Sequence, residues 1–195
     1  MKPIEGFKTE APRTGYEMLP KGLYIGQVKG VKLEGKEPDQ QLVIRLDITE
    51  GEYAGYYTKR YNTEKDAGGR YEVRYKGDYY LQIPNQDNKK REHYDWDYKA
   101  FNGAIWAFED SNDGYHWDWK ETSLKGLTIG LNVREGTFNG SPYTRIGRLE
   151  SVKMIRAGKV KVMKDIPPRN TAEATVTTSA TVPGFTLVED EEIPF

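Results

Sequence analysis

The sequence predicts a mainly β fold, a five-stranded Greek-key barrel with one helix before the fourth strand, followed by a disordered C-terminal tail. Three observations lead to this prediction. Short segments with strand patterns follow one another along the chain, and a helical pattern interrupts them before the last two. Clusters of Gly, Asn, Asp and Pro separate the segments, as turns do. Beyond Ile166 the composition shifts, and residues 171–181 are small and polar, which is typical of a disordered linker.

The first two strands are predicted after a loose N-terminal arm over residues 1–15. Strand one covers Leu23–Leu33, where two glycines mark a bulge or a sharp bend. The first strand of a small barrel needs such a bend because it pairs on both of its sides. Strand two covers Leu42–Ile48, in which every second residue is Leu or Ile, so one face of this strand should be apolar.

A third strand is predicted over Tyr56–Tyr61, and the irregular residues 63–92 are interpreted as an insertion. The helix is predicted over Tyr94–Phe108 because large apolar residues recur there at helical spacing, namely Phe101, Ile105 and Phe108. The four tryptophans, which are Trp96, Trp106, Trp117 and Trp119, are expected in the core or between helix and sheet.

Strands four and five are predicted over Leu127–Arg134 and Tyr143–Met154. A hairpin loop over Glu135–Pro142 should join them, since Asn139-Gly140 is a strong turn signal. This order of strands and helix matches the OB barrel, named for oligonucleotide and oligosaccharide binding. Other small mixed sheets can have the same order of elements.

The charges divide between a predicted body, residues 16–165, and the tail that follows it. The chain has a net charge of −1, but residues 166–195 hold one basic and five acidic residues, a net charge of −4. The remaining 28 basic and 25 acidic residues give residues 1–165 a net charge of +3. A basic body with an acidic tail favours a polyanionic partner for the body.

Signals for catalysis are weak, so no enzyme activity, cofactor or metal is expected. The chain has no cysteine, which excludes disulfides and thiolate chemistry, and its two histidines lack metal-ligand spacing. No glycine-rich loop ends in Gly-Lys-Ser or Gly-Lys-Thr. Neither a secretory signal nor a membrane span is visible, and the expected location is the cytoplasm of a bacterial host cell.

The end of the chain carries the most specific motif. After the predicted linker, residues 166–188, come Glu189, Asp190, Glu191, Glu192, Ile193, Pro194 and Phe195. This segment resembles the acidic tip of bacterial single-stranded DNA-binding proteins, which docks on replication, recombination and repair enzymes. A terminal Phe beside its own carboxylate suits an apolar pocket next to an Arg or Lys, and Pro194 limits the entropy lost on docking.

Short segments of the body resemble a phage-encoded family of single-stranded DNA-binding proteins. They are Leu19–Tyr24, Leu46–Gly55, Leu124–Leu127 and Tyr143–Ile146. The resemblance spans about residues 16–155 and implies one OB-like domain and a phage or prophage origin.

Single-strand binding requires cations that follow the phosphates and aromatic rings that stack on bases. In an OB barrel, strands two and three form the binding surface, flanked here by the predicted loops Glu34–Gln40 and Glu135–Pro142. Alternation places Tyr57, Lys59 and Tyr61 on one face of strand three. The candidate DNA-binding residues are therefore Arg45, Tyr57, Lys59, Tyr61, Arg134, Phe138, Tyr143 and Arg145.

Two rival functions stay open. The chain could be a prophage adaptor whose tip occupies a host protein's pocket while the body binds protein instead of DNA. It could also be a metal-dependent nuclease or recombination enzyme that uses scattered acids such as Asp95 and Asp97. A possible homo-oligomer is compatible with all three functions.

Overall fold

The computed structural model describes residues 16–68, 72–84 and 94–167. This part of the chain is mainly β. Its five strands are Gly22–Glu34 (β1), Gln41–Ile48 (β2), Asp78–Gln82 (β3), Thr128–Phe138 (β4) and Ser141–Glu150 (β5). Its α-helices are Tyr56–Asp66 (α1), Tyr94–Ser111 (α2) and Val152–Arg156 (α3), and a 3-10 turn covers Glu121–Leu124.

The strands form one antiparallel sheet in the order β3-β2-β1-β4-β5. β1 is the central strand, and its first half pairs with β4 while most of its length pairs with β2. The register between β1 and β2 shifts between Val28 and Gly30, which is the pairing irregularity expected of the bulge predicted in strand one. At Gly26 a Cβ atom would lie 2.6 Å from the carbonyl oxygen of Asp47, because the two backbones approach closely there.

The sheet is not closed into a barrel, so the predicted closure is wrong. β3 and β5 stand at the two edges, and within the described ranges they form no ladder with each other. β3 has only five residues and pairs only with β2, and β5 pairs only with β4. The predicted five-stranded, mainly β fold is confirmed at the level of an antiparallel sheet.

The apolar face of β2 is confirmed. Its buried residues Leu42, Ile44, Leu46 and Ile48 point into one core, which also receives side chains of β3, β4 and β5. α2 covers this core and is confirmed from Tyr94, although it continues to Ser111. Phe101, Ile105 and Phe108 are buried as their spacing predicted.

The prediction for the tryptophans is wrong for three of the four. Trp96, Trp106 and Trp119 expose 70%, 50% and 77% of their surface, whereas Trp117 packs against the core. Trp119 contacts the core through one face of its ring, which stacks on Phe101 at a ring distance of 6.3 Å. Trp119 also has a φ of 62°, a left-handed backbone conformation that is uncommon outside glycine.

The third predicted strand is wrong, because residues 56–61 begin α1. Gly55 has a φ of 75° and turns the chain, and the buried carboxylate of Asp47 accepts a hydrogen bond from the backbone N–H of Tyr57. The Tyr56 hydroxyl accepts from the backbone N–H of Leu19 and donates to the carbonyl of Glu17. The third strand of the sheet, β3, lies instead inside the segment that was interpreted as an insertion.

The β4–β5 hairpin is longer than predicted. Its turn is Asn139-Gly140, with φ angles of 48° and 77°, so the turn signal is confirmed. The residues around this turn, which were predicted to form a loop, are paired as strands, since Gly136 pairs with Tyr143 and Phe138 with Ser141. β5 ends at Glu150, and the Ser151 hydroxyl caps α3 by accepting from the backbone N–H of Met154.

The N-terminal arm, most of the linker and the acidic tip lie outside the described residues. In the part of the chain that is described, no helix is long and apolar enough to cross a membrane.

Candidate nucleic-acid interface

A cleft of about 610 Å³ lies where the two edges of the sheet approach each other. One side is formed by Lys76, just before β3, together with Arg60 of α1. The other side is the first half of β5 and the end of β4. Tyr16 and Met18 complete the described lining. The cleft therefore occupies the open side of the unclosed sheet.

The cleft is cationic and aromatic. Arg60, Lys76 and Arg145 line it, and no carboxylate belongs to its described lining. Arg60 is partly neutralised, because its Nε donates to Glu64 at 2.6 Å. Lys76 and Arg145 form no ion pair with any described residue. Their charges are thus available to an anionic ligand. The aromatic part of the lining is Tyr16, Phe138 and Tyr143.

Four of the predicted residues come together on the β4–β5 hairpin. Arg134 lies directly opposite Arg145, while Tyr143 is paired with Gly136. Alternation along both strands then puts Arg134, Phe138, Tyr143 and Arg145 on one face. The glycine makes room for the aromatic ring, because a Cβ atom on Gly136 would lie 2.8 Å from Cζ of Tyr143.

The arginine pair is electrostatically unusual. Like charges directly opposite each other on neighbouring strands are destabilising. Neither Arg134 nor Arg145 has an ion-pair partner among the described residues, and Nε of Arg134 is buried without a hydrogen-bond partner there. An anion bound between the two guanidinium groups would relieve the repulsion.

Phe138 is the exposed tip of this interface. It exposes 67% of its surface at the last position of β4, next to the Asn139-Gly140 turn. The two-residue turn fixes the end of the hairpin, so the ring is presented without a long loop. An exposed ring on a rigid hairpin can stack on a base at small entropic cost.

The other four predicted residues do not join the hairpin. The guanidinium of Arg45 makes two hydrogen bonds to Asp78, at 2.9 and 3.1 Å, and lies 4.7 Å above the ring of Tyr75. The hydrogen bonds to Asp78 raise the pKa of Arg45, and they neutralise much of its charge. Lys59 donates to the carbonyl of Ala54.

The predicted face of Tyr57, Lys59 and Tyr61 does not exist, because α1 is a helix with a period of 3.6 residues. Tyr57 is 4% exposed in the core, where burial raises its pKa. Tyr61 is half-buried and packs against Tyr75 at a ring distance of 5.8 Å. Neither ring is free to stack on a base as placed.

The candidate DNA-binding residues did not include Tyr16, Arg60 or Lys76, which line the cleft. A helical reading of residues 56–66 would have been needed to place Arg60 beside the cleft. Tyr16 carries no local signal, and Lys76 belongs to a basic and aromatic segment, residues 70–76, whose sequence does not show that it lies opposite a hairpin more than 60 residues further along the chain.

Acidic side chains form no group of three or more that is placed to hold a metal within the described ranges. Asp110 accepts a hydrogen bond from the Ser151 hydroxyl, and Asp113 pairs with Lys153 at 2.7 Å. No family model matches the chain, and a search of curated proteins returns no match.

Proposed function

We propose that this protein binds single-stranded DNA without strong sequence specificity, and that its acidic tip recruits replication, recombination or repair proteins. The observation that carries the proposal is the cleft at the open edge of the sheet. It combines Lys76 and Arg145, two cations that form no ion pair with a described residue, with the aromatic rings of Phe138 and Tyr143.

These groups match what a single strand offers. Each nucleotide carries one phosphate, which a Lys or Arg can bind, and one base whose flat face stacks on an aromatic ring regardless of sequence. The opposed pair Arg134 and Arg145 provides one place for a phosphate, and Phe138 lies at the end of the same face. Binding by charge and stacking predicts little base specificity.

The topology supports an OB-type relationship. The order β3-β2-β1-β4-β5, with α2 between β3 and β4, is the order that an OB barrel has when it is open between its third and fifth strands. A partly open barrel leaves a groove on that side, and the cleft lies there.

Recruitment by the tip rests on Glu189–Phe195 alone. These residues lie outside the described part of the chain. The support for recruitment is the resemblance of Ile193-Pro194-Phe195 and the acids before it to the acidic tip of bacterial single-stranded DNA-binding proteins. The hairpin and the tip are different segments, so the two activities should be separable.

Fluorescence anisotropy with a labelled oligo-dT tests the DNA-binding half. The label should be on the DNA because no tryptophan lines the described cleft. We expect binding at low salt that weakens steeply as salt rises. A protein that does not bind oligo-dT at low salt would disprove the proposal and leave the adaptor function in place.

Deletion of Ile193–Phe195 tests the recruiting half. The truncated protein should lose its partners in a pull-down from a bacterial host lysate, while oligo-dT binding is retained or strengthened. A pull-down that survives the deletion would show that another surface recruits those partners.

A further inference from the structure

The outer side of α2 is aromatic where a solvent-facing helix is normally polar. Trp96 exposes 70% of its surface and Trp106 exposes 50%. They lie on the side of the helix away from Phe101 and Phe108, which are in the core. Aromatic residues are enriched in protein interfaces relative to the rest of the surface.

These tryptophans belong to a stripe along the helix. Successive steps of three or four residues connect its members, which are Trp96, Lys99, Gly103, Trp106 and Asp110. Residues at this spacing lie above one another on a single face of an α-helix. The stripe, defined by these five residues, therefore runs along nearly the whole of α2.

Gly103 at the middle of the stripe has no explanation among the described residues of its own chain. A Cβ atom added there would meet nothing within 4 Å, and the residue is not in the left-handed region. Glycine in a helix interior costs about 0.5–1 kcal/mol relative to alanine. A bare backbone at an exposed position is useful if another surface approaches it closely.

The stripe is complementary to itself when a second helix runs antiparallel. Phe101 is midway between Trp96 and Trp106, and it is also midway between Lys99 and Gly103. A two-fold axis at the level of residue 101 would place each Trp96 against the partner's Trp106. The same axis brings Lys99 level with the bare backbone of the partner's Gly103.

We propose that α2 forms the interface of a two-fold symmetric homodimer through this stripe. A two-fold interface must be self-complementary. The stripe meets this condition, because the axis pairs one indole with another and a long residue, Lys99, with a glycine. The inference does not depend on DNA binding, because the cleft and the hairpin are formed by other elements.

Charge complementarity supports a second copy of this chain as the partner that covers the stripe. Helical side chains lean toward the N-terminus of their own helix, which in an antiparallel pair is toward the C-terminus of the partner's helix. Lys99 therefore leans toward the partner's Asp110, and it forms no ion pair with a described residue of its own chain. Asp110 accepts from the Ser151 hydroxyl but retains further lone pairs. Two such pairs would flank the axis.

The exposed area predicts a weak dimer. An aromatic side chain offers about 150–250 Å², so the two indoles expose roughly 300 Å² per chain. Stable complexes bury about 800 Å² per partner. The two indoles therefore supply less than half of that area, and association should depend on concentration.

Sedimentation velocity of the full chain without DNA tests the proposal, from about 1 μM to about 1 mM, where weak complexes form. The weight-average mass should rise toward twice the monomer mass. The double variant Trp96→Ala/Trp106→Ala should stay monomeric. The control Trp119→Asn removes an exposed indole outside the stripe and should associate like the wild type.

Gly103→Ala gives a second and sharper readout. The added methyl should raise the thermal unfolding midpoint, since alanine is the better helix former, and at the same time weaken association several-fold. A wild-type chain that stays monomeric throughout the range would overturn the proposal. So would unchanged association in either the double variant or Gly103→Ala.

Discussion

The carboxylate of Asp47, at the end of β2, accepts a hydrogen bond from the backbone N–H of Tyr57 at 3.0 Å. The same oxygen accepts from the backbone N–H of Ile48 at 2.9 Å. Asp47 is only 3% exposed, so both bonds are shielded from water. The first turn of α1 has free N–H groups, and a carboxylate is well suited to satisfy one of them. This pair of residues fixes the start of α1 on the sheet.

Asp47→Ala should therefore lower the free energy of unfolding by about 2–4 kcal/mol, because it leaves two buried N–H groups without an acceptor. Urea unfolding followed by circular dichroism measures the loss. Asp66→Ala is the matched control at the exposed end of α1 and should change stability by less than about 0.5 kcal/mol. Equal stabilities of the two variants would contradict the anchoring role of Asp47.

The same pair shows why the sequence predicted a strand where α1 stands. Tyr56–Tyr61 is rich in β-favouring tyrosine, and local propensity is a weak guide when tertiary contacts oppose it. The contact that decides the matter comes from Asp47, ten residues earlier, and from the turn at Gly55. Where the pattern was long and one-sided, as in β2 and α2, the prediction was confirmed because burial of that face determines the element.

Two aromatic substitutions separate packing from DNA contact. Phe138→Ala should weaken oligo-dT binding by about 1–3 kcal/mol, the range for one stacked base, with little effect on stability because the ring is exposed. Tyr57→Phe should leave oligo-dT binding unchanged, since this ring lies in the core. Anisotropy titrations under one salt condition compare the two. Unchanged affinity in Phe138→Ala would remove the hairpin tip from the interface.

Arg145→Ala should reduce the salt dependence of oligo-dT binding. Each phosphate contact on a single strand contributes about 0.7 to the slope of log affinity against log salt, so loss of one contact should lower the slope by about that amount. Arg148→Ala is the matched control on the same strand, because its guanidinium is already paired with Glu150 at 2.5 Å. A control that lowers the slope as much as Arg145→Ala would argue for a general charge effect.

The candidate site was predictable only where its residues are neighbours in the sequence. Arg134, Phe138, Tyr143 and Arg145 belong to one hairpin, whose turn signal and alternation are visible locally. Lys76 joins them because the short β3 leaves the sheet open on that side, and no local pattern records this. Arg45 was misjudged for another reason: its partner Asp78 is 33 residues away, and the sequence does not show that the two are paired.

Tyr75 should make stability fall as pH rises above about 10. Its hydroxyl donates to the carbonyl of Leu46 at 3.1 Å, and burial raises its pKa to about 12. A tyrosine in the unfolded chain has a pKa near 10. Between these values the unfolded chain has lost the proton that the folded protein retains, so the stabilising contribution is complete below pH 10 and is lost on the way to pH 12. Urea unfolding at several pH values measures this slope.

Tyr75→Phe should make that slope shallower, because the titrating hydroxyl is gone. At pH 8 the variant should be less stable by about 1 kcal/mol, since the bond to the carbonyl of Leu46 is lost. The slope should not vanish, because the pKa of Tyr53 is also raised to about 12, first by its hydrogen bond to Glu52. Tyr80→Phe, on the exposed face of β3, is the control and should keep the wild-type slope. If Tyr75→Phe also keeps the full slope, the alkaline loss of stability arises at other groups and the Tyr75 hydroxyl does not couple folding to pH.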